Sequence, residues 1–320
     1  MDVETGAMLA LQILAVFSIA VALFAYLMRQ SRNASDEYDI RSKRHVLVTS
    51  CDTCIGLQLA LALSEAGYKV FAGLLEPCGQ SAAVKILRAV EQERLKARDP
   101  ENLEDSASAS GDLRSPGQIV PLKLDSTRED SLRTCLDAIR AKLPAGEDGL
   151  WAVVHTSGLA LPGVIERQES SAWESMLRQN IIAPLRTARA FIPLLRTKRG
   201  RIILLGDSNT SFAAKVGKGL VAFSASRKAV EGAAEAMRYE LHSSGVNVVL
   251  LKPPSVNPLV LYGPPTLKTA ETDNSNQSSQ GTWIAPLSAQ SVKETLIPAI
   301  TATCPFESYD MNKKSRIFCR

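Results

Sequence analysis

Between His45 and Leu251, short apolar stretches alternate with longer ones in which apolar residues recur at helical spacing. His45–Thr49, Tyr68–Leu75, Ile119–Leu124, Leu150–His155, Arg201–Leu205 and Val246–Leu251 are short, apolar and mostly unalternating, the pattern of strands buried on both faces. Between them Ile55–Ala66, ended by Gly67, then Ser81–Ala97, Arg128–Lys142, Ala172–Leu195 and Phe223–Ser243 read as helices. A last helix is predicted at Ala289–Ala302, with little structure after it. Strand and helix in strict alternation predict parallel strands joined by helical crossovers. The expected fold class is α/β, a doubly wound parallel sheet of Rossmann type in one domain.

Two regions break this pattern. Residues 99–117, rich in Ser, Asp, Gly and Pro, read as a flexible surface insertion, and residues 262–282 as a reduced, polar lid. The N-terminus departs in the opposite sense. Ala7 to Met28 carries no charge, and at ~1.5 Å per residue it is long enough to cross a ~30 Å hydrocarbon core. Acidic Asp2 and Glu4 precede it; Arg29, Arg32, Arg41, Lys43 and Arg44 follow. Basic flanks stay cytosolic, so residues 1–28 are read as a single-pass anchor, 29–43 as a tether, and 44–320 as a cytosolic domain. The expected location is a membrane, the endoplasmic reticulum. A signal peptide would need a basic leader and a shorter apolar core, and both are missing. Glycosylation at Asn209 or Asn276 would refute the cytosolic assignment.

With 320 residues and 45% hydrophobic content, the chain can fold without staples. Its six cysteines (51, 54, 78, 135, 304 and 319) form no paired framework and are read as reduced thiols. A net charge of +4, spread along the chain, argues against nucleic acid as a partner. Three histidines (45, 155 and 242) suggest no metal site. No G-x-S-x-G elbow supports a hydrolase.

Chemistry is expected at the first strand-to-helix turn, where a dinucleotide pyrophosphate would meet a helix N-terminus. That turn reads Thr49-Ser50-Cys51-Asp52-Thr53-Cys54-Ile55-Gly56. It resembles the glycine-rich turn of membrane-associated short-chain dehydrogenases, the group of retinol, 17β-hydroxysteroid and 3-hydroxybutyrate dehydrogenases. Phe71–Leu75, Val120–Asp125, Trp151–Gly158, Phe223–Leu241 and Ala299–Pro305 resemble further segments of that group in the same order. Arthropod shroud-like proteins of the ecdysteroid pathway are a closer candidate within it, though no motif singles them out. The resemblance implies NAD or NADP as cofactor. It places cofactor contacts on Thr49, Ser50, Asp52, Ile55, Gly56, Asp125, Ser157, Gly158, Arg227 and Pro253. It also implies a sterol- or retinoid-like ligand, and a homodimer through the helices at Ala172–Leu195 and Phe223–Ser243.

The departures from the family pattern bear directly on function. Of three turn glycines only Gly56 remains, with Ser50 and Cys54 at the others, so cofactor binding is expected to be weakened. The family's catalytic asparagine falls on Asn180. Its Tyr-x-x-x-Lys motif becomes Phe223 and Arg227, and a phenyl ring has no proton to transfer. Shifting the register to use Lys228 would put Ser224 in the tyrosine's place. The catalytic serine position falls on Asp207 counted from the fifth strand, or on Thr210 counted back from Phe223. The Pro-Gly after the sixth strand is Pro253-Pro254. Cys51-x-x-Cys54 has redox spacing, but Cys51 itself matches the family turn. His155, at the end of a predicted strand, is a candidate substitute acid. Two functions follow: a pseudoenzyme that binds or scaffolds in sterol- or retinoid-type lipid metabolism, or a divergent NAD(P)-dependent oxidoreductase acting on a steroid or other lipid alcohol or ketone.

Overall fold

The computed structural model describes residue 17, residues 19–24, residue 26, and residues 44–96, 116–144, 146, 148–207, 219–267 and 283–311. The chain divides into two compact units, Met1–Lys43 and Arg44–Arg320. In the first, Phe17, residues 19–24 and Tyr26 are helical and exposed. Among the described residues no helix is long and apolar enough to cross a membrane, and most of the run 7–28 lies outside them.

The second unit is built on seven strands: β1 (His45–Val48), β2 (Lys69–Leu74), β3 (Ile119–Lys123), β4 (Ala152–His155), β5 (Arg201–Leu205), β6 (Asn247–Lys252) and β7 (Ser308–Asp310). Their order is β3-β2-β1-β4-β5-β6-β7, and every neighbouring pair is parallel. The order reverses between β1 and β4, the switch point where ligands enter such sheets. The helices are α1 (Cys54–Glu65), α2 (Ala82–Lys96), α3 (Glu129–Lys142), α4 (Ser170–Leu177), α5 (Ala183–Thr197), α6 (Val221–Leu241), α7 (Pro258–Leu261) and α8 (Ala289–Thr301).

The unalternating apolar strands do lie between two cores. Val46 and Val48 of β1 join one cluster and Leu47 the other; Ile203 and Leu205 of β5 divide from Ile202 and Leu204 in the same way. A strand whose successive side chains point to opposite faces must be apolar at every position when both faces are covered. The helix predicted at Ala172–Leu195 is instead two helices, α4 and α5, joined by a π turn at Arg178–Ile182.

One expectation is corrected. The chain does not lose structure after α8: β7 adds a seventh strand, and Tyr309 is buried in the core. Three residues are too few to show a period in sequence. Tyr262, the first residue of the predicted lid 262–282, is buried; residues 268–282 lie outside the described residues, as does most of the insertion 99–117.

Candidate functional site

The turn between β1 and α1 is closed by its own hydrogen bonds. Thr53 caps α1, accepting from the Gly56 N–H at 3.1 Å and donating from Oγ1 to the Ser50 carbonyl at 2.8 Å. The Cys51 N–H donates to the Gly73 carbonyl, and the Ser50 N–H to Thr156 Oγ1 at 3.2 Å. Thr49, fully buried, accepts from the Thr156 N–H at 3.1 Å. Asp52 Oδ2 accepts from the Leu75 N–H at 2.6 Å, and burial raises its carboxyl above the usual range. Gly56 is required by close approach: a Cβ there would collide with the Ser50 carbonyl and crowd Thr156 Oγ1. Burial raises both thiols of the Cys51-x-x-Cys54 pair, and Cys51 is fully buried, which removes the thiolate character a redox pair needs.

The N-terminus of α1 is also occupied by the chain itself. Cys54 N–H donates to the Gly263 carbonyl at 2.9 Å, Gly56 N–H to its cap, and Leu57 N–H to the Thr53 carbonyl. The Cys54 and Gly56 N–H groups are two of the helix-end donors that would otherwise face an anion, whereas the Leu57 bond is the first within the helix. Gly263 reaches them because α7 turns the chain back after β6. Ile55 is buried in the core.

At the end of β3, Asp125 Oδ1 accepts from the Thr127 N–H at 2.9 Å and its hydroxyl at 2.6 Å, an Asx turn that leads into α3. After β4, Ser157 is buried and its Oγ accepts from Gln179 Nε2. Asn180 lies in the π turn, a distortion common at functional sites. Its Nδ2 donates to the Leu159 carbonyl at 2.9 Å and to Ser226 Oγ at 2.8 Å, while its Oδ1 accepts from the Leu159 N–H at 2.8 Å. The amide is fully buried and committed to structure.

Phe223, Arg227 and Tyr262 come together beside it. The Phe223 and Tyr262 ring centroids stand 5.9 Å apart, and the Arg227 guanidinium lies 4.2 Å from the Tyr262 centroid and 5.6 Å from that of Phe223. All three are buried. Gly158 underlies them, since a Cβ there would collide with Arg227 Nη2 and the Tyr262 ring. Arg227 makes long hydrogen bonds to the Ser157 carbonyl (3.3 Å), Asn180 Oδ1 (3.4 Å) and the Leu205 carbonyl (3.5 Å), and its Nε has no partner. Burial lowers its affinity for the proton, while Tyr262 and Asp207 partly oppose that.

His155 does not serve as a substitute acid. Its ring nitrogens are buried without partners, and burial, with the Arg227 charge next, pushes its pKa down to about 3. The imidazole is therefore neutral near pH 7. Asp207, at the end of β5, is buried; its Oδ2 stands 3.9 Å from Lys228 Nζ, and Lys228 also pairs with Glu231 at 3.1 Å. Burial raises the Asp207 carboxyl, with Lys228 opposing. Pro253 is buried after β6, and Thr210 lies outside the described residues. Among the described residues no cluster of metal-ligating side chains occurs.

The family model described as short chain dehydrogenase matches residues 78–261, from the segment before α2 through α7. The chain belongs to the short-chain dehydrogenase family. Among its relatives, mitochondrial D-beta-hydroxybutyrate dehydrogenase of Mus musculus is 24% identical over 222 residues, covering 69% of this chain and 57% of that protein. Estradiol 17-beta-dehydrogenase 2 of Mus musculus is 28% identical over 239 residues, covering 74% and 54%. The matches thus span little more than half the length of these relatives. A putative short-chain dehydrogenase/reductase from Burkholderia xenovorans shares the fold, with a TM-score of 0.53 at 17% identity over 68% of this chain and 77% of that one.

The structure brings Asn180, Phe223, Arg227, Ser157 and Gly158, which the resemblance assigned to catalytic and cofactor positions, around the Arg227 guanidinium. Sequence reasoning missed Tyr262 and Gly263. The signal was the apolar run Pro258–Tyr262, which interrupts polar surroundings and predicts a packed segment rather than the start of a lid.

Proposed function

We propose that this short-chain dehydrogenase relative is a membrane-anchored pseudoenzyme that acts by binding or scaffolding in sterol- or retinoid-type lipid metabolism. The observation that carries the reading is the packing of Phe223, Arg227 and Tyr262 into one buried cluster at the family's catalytic position. Loss of a positioned acid–base phenol removes a rate factor of about 10²–10⁴ by itself. The dinucleotide does not fit the residues in this arrangement, because the Gly263 carbonyl takes the Cys54 N–H and Tyr262 covers Gly158. NAD or NADP, which would supply the hydride in an active relative, therefore binds weakly or not at all. The relatives' printed names point to hydroxy acids and steroids as the ligand class. The uncharged run 7–28 holds the domain at the membrane where such lipids dissolve.

The test is nicotinamide turnover by the purified full chain with 3-hydroxybutyrate, estradiol and retinol. None is expected. Phe223→Tyr with Arg227→Lys is also expected to stay silent, because Tyr262 and Gly263 remain in place. Activity in that double variant would show that the cleft opens and only the chemistry had been lost.

One observation favours a second reading, a divergent oxidoreductase. Tyr262 puts a phenol beside Arg227, whose charge lowers its pKa against the larger upward effect of burial. On that reading the unmodified chain turns over substrate and Tyr262→Phe abolishes the activity.

A further inference from the structure

At the edge of the sheet where the strands begin, opposite the end that carries His155 and Asp207, a cavity of about 780 Å³ opens. Five cationic side chains line it, Arg44, Lys198, Arg199, Arg201 and Arg238, against the carboxylates of Glu235 and Glu307. Glu307 is already engaged by Arg238, at 3.6 Å. Arg201 is 1% exposed. Its Nη1 donates to the Ala299 and Ala302 carbonyls at 3.0 and 2.9 Å, but its Nε has no hydrogen-bond partner. Arg44 and Arg201 both stack on Trp151, at 3.5 and 4.6 Å from its ring centroid. Burial foremost, with the Arg44 charge also contributing, brings the Arg201 pKa down to about 10.

Lys198 and Arg199 are exposed, and among the described residues neither forms an ion pair. Arg199 holds the left-handed region at φ 47°, where a branch-free Gly or an Asn would be at less cost. Arg201 is buried in the cavity wall, and with Lys198 and Arg199 at its edge outside any ion pair among the described residues, these three cations converge on a space that an anion would stabilise. Guanidinium groups suit phosphate oxygens, which they bind in pairs, and a cavity of this size takes a small ligand.

Two features indicate a lipid source for that phosphate. Tyr239, which lines the cavity, is 80% exposed, and Phe306, between lining residues Pro305 and Glu307, is 49% exposed. Exposed aromatics beside basic side chains are typical of surfaces that meet a membrane interface. In the sequence only residues 29–43 separate Arg44 from the uncharged run 7–28.

We propose that this cavity binds the phosphate-bearing headgroup of an acidic membrane lipid, at a site separate from the Phe223 cleft. The choice of lipid as the source rests on the membrane reading given above. The anion chemistry does not.

The test is titration of the full chain in neutral detergent with dioctanoyl phosphatidic acid, dioctanoyl phosphatidylcholine and inorganic phosphate, followed by Trp fluorescence and melting temperature. Saturable binding of the phosphatidic acid is expected, with none of the phosphatidylcholine. The variant Lys198→Gln with Arg199→Asn, which places Asn at the left-handed position, should bind about tenfold more weakly while melting at the parent temperature. Equal binding of the two lipids, or undiminished binding by the variant, would overturn the site. Displacement of the lipid by an equal concentration of inorganic phosphate would overturn the lipid source. Because detergent replaces the bilayer, none of these results depends on whether residues 7–28 span a membrane.

Discussion

Asn180 and His155 are both buried polar side chains at the family's catalytic end of the sheet, yet their surroundings give them opposite characters. Asn180 satisfies its amide through Leu159 and Ser226, so it acts as a structural pin between the π turn and α6. Removing it strands those groups, and Asn180→Ala should cost about 2–4 kcal/mol, read as a lowered urea midpoint at unchanged slope. His155 is buried without partners and its folded pKa is depressed to about 3 from 6.5. Lowering the pH through that window protonates the unfolded chain but not the native imidazole, so stability is present above about pH 6.5 and lost as pH falls. The slope from this one group is about 1.4 kcal/mol per pH unit. In His155→Leu, the dependence of stability on pH between 6 and 4 should shrink by about one proton. An unchanged slope would mean that His155 is not held neutral.

At the scale of elements, the decisive feature is the return of the chain after β6, through α7, onto the N-terminus of α1. Gly263 takes a helix-end donor and Tyr262 packs on Phe223, Arg227 and Gly158. Tyr262→Ala removes that ring from a buried cluster and should lower stability by about 3 kcal/mol in denaturant melts. With the segment in place, 1 mM NADH or NADPH should leave the melting temperature of the parent unchanged. A bound cofactor at 100 times its Kd would add about 2.7 kcal/mol, which is easily seen. Six strands and the long helices were legible because burial on both faces forces unbroken apolar runs and amphipathic helices keep their period. β7 was not legible, being three residues long, and neither was the π turn, which leaves the helical period almost intact. Phe223, Arg227 and Asn180 were legible through the family resemblance, Phe223 and Arg227 lying one helical turn apart on α6. Tyr262 arrives from far along the chain, and only tertiary packing brings it there.

For the molecule as a whole, the fold of the short-chain dehydrogenases is kept, and on the proposed reading its catalytic end serves as core. The seven-stranded parallel sheet, the switch point and Gly56 all remain. The open cavity lies at the other end of the strands, lined with cations. On the proposed reading, such a domain keeps the stability of an enzyme scaffold and offers binding surfaces in place of turnover. The most direct measurement is cofactor-dependent turnover by the purified, unmodified full chain, followed at 340 nm with NADH and NADPH against keto-steroid, retinal and 3-oxo-acid substrates. The account predicts no rate above that of a heat-denatured control, and sustained reduction of any of these carbonyls, abolished by Tyr262→Phe, would contradict it.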